Sequence, residues 1–296
     1  MSFFTKWFKK FTEEDEETTV SGTSTSQDAG ERIASPSSGR DQEWRVIPEH
    51  RADTVTLTRY ILLKNAQEPQ LDSVLPKLRL QGVDAEGGVA NGQVIVHYRG
   101  MTATAEYVPS PLPNQEAEEN SRYNRLWPTA EQEISGYAAQ MVVTLRNAPN
   151  GLSGHRFLTQ TIAALLDGEL NTLAVYSAPL LISRADYLAS AELLQEQQEV
   201  PVNLWVFVGL YRSASSGAAY THGMVDFGLD ELELLNSQRS DQEVLEVMFA
   251  VVHRMVSRNM KVAGGETMQL GAERELKLLK SAGVALEGVT VKVEEG

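Results

Sequence analysis

The sequence predicts an α+β protein: mixed, largely antiparallel sheets with packed helices, preceded by a disordered N-terminal arm. Three observations carry this. Segments rich in β-branched and aromatic residues come in runs, with helical patterns intervening irregularly, unlike the strict alternation of a parallel fold. Of the 296 residues 42% are hydrophobic, enough for a sizeable core. Residues 18–41 are dominated by Ser, Thr, Gly and Asp and cannot bury enough apolar surface to offset their ordering entropy. They divide the chain into an arm, residues 1–43, and a body, residues 44–296, beginning near Trp44.

The arm opens MSFFTKWFKKFT. On a helix Phe3, Phe4, Trp7, Phe8 and Phe11 share one face, with Lys6, Lys9 and Lys10 on the flanks and opposite side. Such a segment could dock in a partner's groove, lie in a membrane interface, fold back on its own body or stay disordered. The acids from Glu13 to Glu17 that follow would oppose an anionic membrane and leave only weak surface contact through residues 3–11.

In the body, residues 54–64 read as a strand and 69–80 as a short helix broken or kinked by Pro76. Residues 92–98 and 101–108 form a hairpin about Arg99-Gly100, and 110–128 a long polar loop. A strand over 139–146 precedes a helix over 154–167, a strand over 172–176 and a helix over 183–198 capped by Ser183. The apolar run 202–211 suggests a central strand buried on both faces. The longest helix spans 241–260, with Asp241 as N-cap and Val244, Leu245, Met248, Val251, Val252 and Met255 as its apolar stripe. Short strands follow at 267–270 and 288–293.

Composition excludes several chemistries. The net charge is −14 and the pI about 4.9, which opposes a general nucleic-acid binder. The absence of cysteine removes disulfides, thiolate metal sites and a cysteine nucleophile, and fits a reducing compartment. With no long apolar span and no signal-like leader, a cytoplasmic location is expected. No Gly-x-Gly-x-x-Gly, P-loop or Gly-x-Ser-x-Gly elbow occurs, and Ser213–Gly217 reads as a hairpin connection.

The segment 221–233 invites a closer reading. His222, Asp226, Glu231 and Glu233 could ligate a divalent cation or serve acid–base chemistry. The structural alternative is that Gly223 and Gly228 take special backbone angles, Phe227 fills the core, and Glu231 and Glu233 cap or start a helical turn. Of the other histidines, His253 reads as half-buried on the long helix, His155 as a cap or exposed group at a helix start, and His97 as a surface or cross-strand contact.

From residue 107 onward the order of features resembles domain of unknown function family 4261. The resemblance rests on Pro109-Ser110-Pro111-Leu112-Pro113, on Leu126-Trp127-Pro128, on the run from Thr221 to Glu233 and on Ala263-Gly264-Gly265-Glu266-Thr267. The third place is the most specific, with Thr221, His222, Gly223, Phe227, Gly228, Glu231 and Glu233 as its signature. The resemblance implies a bacterial protein with an α+β fold and carries no activity with it. The expectation is a non-enzymatic module that binds another protein, without cofactor and without nucleic acid. The alternatives are a metal-dependent or hydrolytic enzyme using 221–233, and a peripheral membrane protein held by residues 3–11.

Overall fold

The structure is a computed structural model that describes residues 54–213, 216–271 and 274–295. The arm, its aromatic segment, the acid run and the junction near Trp44 lie outside the described residues, as does the centre of the Ser213–Gly217 connection. The chain enters through β1 (Val55–Leu63), α1 (Val74–Leu80), β2 (Glu86–Ala90), β3 (Gln93–Tyr98) and β4 (Met101–Val108). Two short helices, α2 (Glu116–Ser121) and α3 (Ala130–Ile134), lead to β5 (Ala139–Ala148) and α4 (Gly151–Leu166). β6 (Thr172–Ser177), β7 (Leu180–Ser183) and α5 (Arg184–Gln197) complete the first half. The second half holds β8 (Phe207–Ser213), β9 (Ser216–His222), β10 (Leu232–Ser237), α6 (Asp241–Arg258), β11 (Glu266–Leu270), β12 (Arg274–Ala282) and β13 (Val289–Glu295).

Two sheets result. The first has the order β2-β3-β4-β5-β1-β6-β7, every neighbouring pair antiparallel. The second has the order β11-β12-β13-β10-β9-β8, antiparallel except for the parallel pair β10 and β13. This is the expected α+β arrangement of largely antiparallel sheets. One continuous core joins the sheets, running from Leu57 and Ile61 of β1 through Phe157 and Ile162 of α4 to Met248 and Val252 of α6. Pleating sends Leu57, Arg59, Ile61 and Leu63 toward that core, while Tyr60 and Leu62 face a smaller cluster with Trp127, Ile134 and Tyr176.

That smaller cluster revises the region read as a loop. Residues 110–128 hold a 3-10 turn (Pro113–Gln115) and α2. Leu112, Ala117, Trp127 and Ala130 are buried against the outer face of β1 and β6. The helical turns are too short to show a periodic stripe, and polar side chains do the fastening. Asn124 Oδ1 accepts from the N–H groups of Leu126 and Trp127, and its amide donates to the Leu181 carbonyl at 2.7 Å.

Four further boundaries change. α1 spans only Val74–Leu80, so Pro76 falls in its first turn, where a missing N–H costs nothing, and no kink is needed. α4 begins at Gly151, capped by Asn150, whose side chain accepts from Ser153 N–H at 2.8 Å. Ser240, not Asp241, caps α6 in a reciprocal capping box with Glu243. The apolar run 202–211 divides: Val202–Leu204 form a buried 3-10 turn, and among the described residues β8 is an edge strand paired only with β9. Its hydrophobicity reflects burial against α6 and α4 rather than a central place in the sheet; Trp205 Nε1 donates to Thr159 Oγ1 at 2.9 Å.

Helix α4 meets the second half at its first residue. A Cβ on Gly151 would lie 2.0 Å from the Asp226 carbonyl oxygen and 3.1 Å from Phe227 Cα. Both obstacles are backbone, so neither can swing aside. Gly151→Ala is expected to destabilise the protein by about 2–3 kcal/mol, read as a fall in melting temperature; an unchanged melting temperature would show that the two halves meet more loosely than this.

Candidate functional site

The 221–233 segment is the end of β9, a 3-10 turn (Met224–Phe227) and the start of β10. Glu231 and Glu233 therefore flank and enter a strand, and neither starts a helical turn. Glu231 closes the turn from below. Its Oε1 accepts from the N–H groups of Gly223 and Met224 at 2.8 and 3.0 Å, and its Oε2 accepts from Thr221 Oγ1 at 2.7 Å. Thr221 is fully buried and its hydroxyl also accepts from Leu232 N–H. Gly223 and Gly228 bracket the turn at φ 118° and 68°, the left-handed region where a side chain is strained.

Asp226 reaches across to α4. His155 Nε2 donates to its Oδ2 at 3.0 Å, and the imidazole is only 1% exposed. This replaces the expected cap or exposed role for His155: the ring stacks on Phe227 at 4.9 Å and lies 5.3 Å from Trp205. Burial lowers the His155 pKa to about 4, against which the Asp226 hydrogen bond works, so the imidazole is neutral near pH 7. Burial raises the Asp226 pKa, but the His155 hydrogen bond and the charges of Arg59 and His222 outweigh it and hold the carboxyl below its usual range. Arg59, on the core face of β1, donates from Nη1 to the Thr58 carbonyl at 2.8 Å and faces Asp226 electrostatically. Burial lowers its pKa first, and Asp226 opposes that.

These groups border a small cleft of about 190 Å³ into which His222, Asp226 and Arg59 all open. His222 is exposed, and Glu231 is turned into its own turn. Among the described residues no three His, Asp or Glu side chains gather as metal ligands. A neutral, stacked His155 held by a carboxylate fastens two halves together and is shut off from any substrate.

Glu233 lies elsewhere, on the far face of the second sheet, fully buried. It accepts from Val284, Ala285 and Leu286 N–H groups at 2.7–3.0 Å, from Thr290 Oγ1 at 3.1 Å and from Lys292 Nζ at 2.8 Å. Burial pushes its pKa up, but Lys292 and the three N–H groups prevail and bring it to about 2. His97, at an exposed strand position, meets Thr102 Oγ1 across the β3–β4 ladder, and the half-buried His253 lies 3.4 Å from Glu199.

A second concavity was not foreseen. A recessed groove of about 410 Å³ runs between β7, the edge of the first sheet, and β8, the edge of the second. Asn120 and residues 123–127 form its mouth, and Leu245 and Phe249 of α6 its floor. On β8 and β9 the rings of Phe207, Tyr220 and Tyr211 form a row with centroids 6.1 and 6.2 Å apart. The Tyr220 ring lies over Gly209, where a Cβ would meet it at 2.5 Å. Asn203, 2% exposed, lines the groove; its Nδ2 donates to Ser190 Oγ while its Oδ1 has no partner. The sequence held no separate signal for this site, since the apolar residues and aromatics of 202–211 read equally well as buried core.

The buried pair and the buried carboxylate set the response to acid and to mutation. Between pH 6.5 and about 4 the unfolded chain takes up a proton on His155 that the folded protein refuses, so stability falls as the pH is lowered through that window. The decline in melting temperature over that window should be shallower in His155→Gln; equal slopes would contradict the assignment. Glu233→Gln leaves Lys292 buried beside an uncharged amide and is expected to cost about 3 kcal/mol, measured by urea denaturation; a loss below 1 kcal/mol would show that the 284–286 loop is held by other means.

No curated protein and no solved structure matches the chain. The family described as Domain of unknown function (DUF4261) matches residues 220–294. That stretch runs from the last residues of β9 through β10, α6, β11 and β12 into β13, and holds the 221–233 and 263–267 places of the resemblance; 109–113 and 126–128 lie before it. Over residues 220–294, about a quarter of the chain, the sequence is similar to that family, whose description assigns no activity.

Proposed function

We propose that the protein is a non-enzymatic interaction module, of the adaptor, chaperone or immunity kind, that receives an extended apolar segment of another protein in the groove between β7 and β8. The observation that carries this reading is the groove itself. An edge strand with one paired neighbour lies along an aromatic-lined recess. In the antiparallel β8–β9 pair, closed by Ser213 opposite Ser216, alternate residues turn their backbone groups outward, which places the N–H and C=O of Val208 and Leu210 on the groove side. An added strand would gain main-chain hydrogen bonds there, with its alternate side chains directed to the Phe207–Tyr220–Tyr211 row and to the Leu245–Phe249 floor. The neutral His155, with its N–H committed to Asp226, favours this over a hydrolytic reading of 221–233.

The resemblance and the lack of cysteine support a bacterial cytoplasmic setting. The acidic net charge of −14 supports a protein partner rather than nucleic acid.

Affinity purification from the host tests the groove directly. Full-length protein is compared with Leu210→Arg and with a surface control, Leu80→Ser, each checked for wild-type circular dichroism. A partner recovered with wild type and control, and reduced at least tenfold with Leu210→Arg, is the expected result. Equal recovery with all three would remove recognition from the groove.

A further inference from the structure

We infer that the aromatic N-terminal segment, residues 3–11, is an intramolecular occupant of the β7–β8 groove, seated there until a partner segment displaces it. This rests on the groove being the recognition surface. Three observations point to it.

The first is where the arm joins the body. β1 runs antiparallel to β6, with Tyr60 opposite Tyr176, so its first residues extend past the end of β6 to the Ala178-Pro179 turn that leads into β7. Thr56 and Thr58 border the small cleft together with Pro179, Leu180 and Phe207. Those last three residues also wall the groove. The arm therefore enters the body beside the groove's end. A Ser/Thr/Gly-rich chain of the length of residues 12–53 spans roughly 35 Å root-mean-square as a coil, which keeps a tethered segment at an effective concentration of the order of millimolar.

The second is chemical fit. Phe3, Phe4, Trp7, Phe8 and Phe11 supply five aromatic side chains in nine residues. The recess offers aromatic and aliphatic walls, with the unpartnered Asn203 Oδ1 ready to accept a hydrogen bond from an indole or backbone N–H.

The third is charge. Residues 1–12 carry Lys6, Lys9 and Lys10 and no acid, within a chain of net charge −14. Asp186 lines the groove, and Glu116 and Glu119 stand exposed on α2, whose Asn120 is at the mouth; Arg125 is the one cation among the groove's described walls. A second copy of the chain is a poorer occupant. Its own β8 edge is equally recessed, and two recessed edges cannot meet.

The full-length chain can report this, because it has no cysteine. A spin label is placed on Ser2→Cys and methyl signals of the body are recorded. The expected result is selective paramagnetic broadening of Leu180, Ile182, Leu210 and Leu245, at least threefold above that of Leu80 and Leu170, and unchanged on dilution. Replacing Phe3, Phe4, Trp7, Phe8 and Phe11 by Ser should abolish it and raise partner recovery in the purification described above. Uniform weak broadening, broadening centred on another surface, or broadening that appears in unlabelled chains mixed with labelled ones would each overturn the inference. If the arm fails this test while Leu210→Arg still loses its partner, only self-occupancy falls and the groove remains the binding site. If neither Leu210→Arg nor the serine variant changes partner recovery, the groove reading falls as well.

Discussion

The carboxylate of Asp226 on the imidazole of His155 is the contact about which the two halves are organised. It joins α4, which packs on the first sheet, to the 3-10 turn between β9 and β10 of the second. The backbone behind it is just as constrained: Gly151 lets the start of α4 approach the Asp226 carbonyl, and Phe227 lays its ring against His155. A neutral imidazole suits this place. It gives its N–H to the carboxylate, stacks in an apolar setting, and brings no second charge into a core that already holds Arg59. The groove depends on this contact too, since the relative position of the two sheets fixes how far β7 stands from β8.

The second sheet relies on two further carboxylates that do architectural work. Glu231 gathers two N–H groups and a hydroxyl into a turn, and Glu233 gathers three N–H groups from the 284–286 loop and a hydroxyl and an ammonium from β13, all more than fifty residues away. In each case the charge is satisfied by several donors rather than by one counter-ion, the condition under which a buried acid is stable. With Glu231 and Glu233 used in this manner and Asp226 committed to His155, the ligand-like spacing of His, Asp and Glu does not build a ligand sphere.

How much of this was legible in the chain varied with the range of the forces. The β1, β3, β4, β5 and β6 strands and the helices α4, α5 and α6 show their period locally, and were readable. The special backbone at Gly223 and Gly228 was readable too, from glycine alone. The edge position of β8 was not: an apolar run says that residues are buried, and cannot say whether a strand, a helix or a 3-10 turn buries them. The helices α2 and α3 escaped because one or two turns leave no periodic trace. His155 escaped because its partner Asp226 is distant in sequence, and Glu233 because its donors lie in a loop with no pattern of its own.

The central place of β13 has a consequence for how the protein is made. The first sheet is complete once residue 183 has been synthesised, but β13 lies between β12 and β10, so the second sheet stays open in its middle until the last strand emerges. Until then Glu233 has none of its donors and remains a hydrated charge in the centre of the exposed face of β10. Pairing of β10 with a strand of a neighbouring nascent chain would then have to bury that carboxylate without its donors, which is costly. The same side chain that pins the finished sheet thereby disfavours wrong partners for the unfinished one.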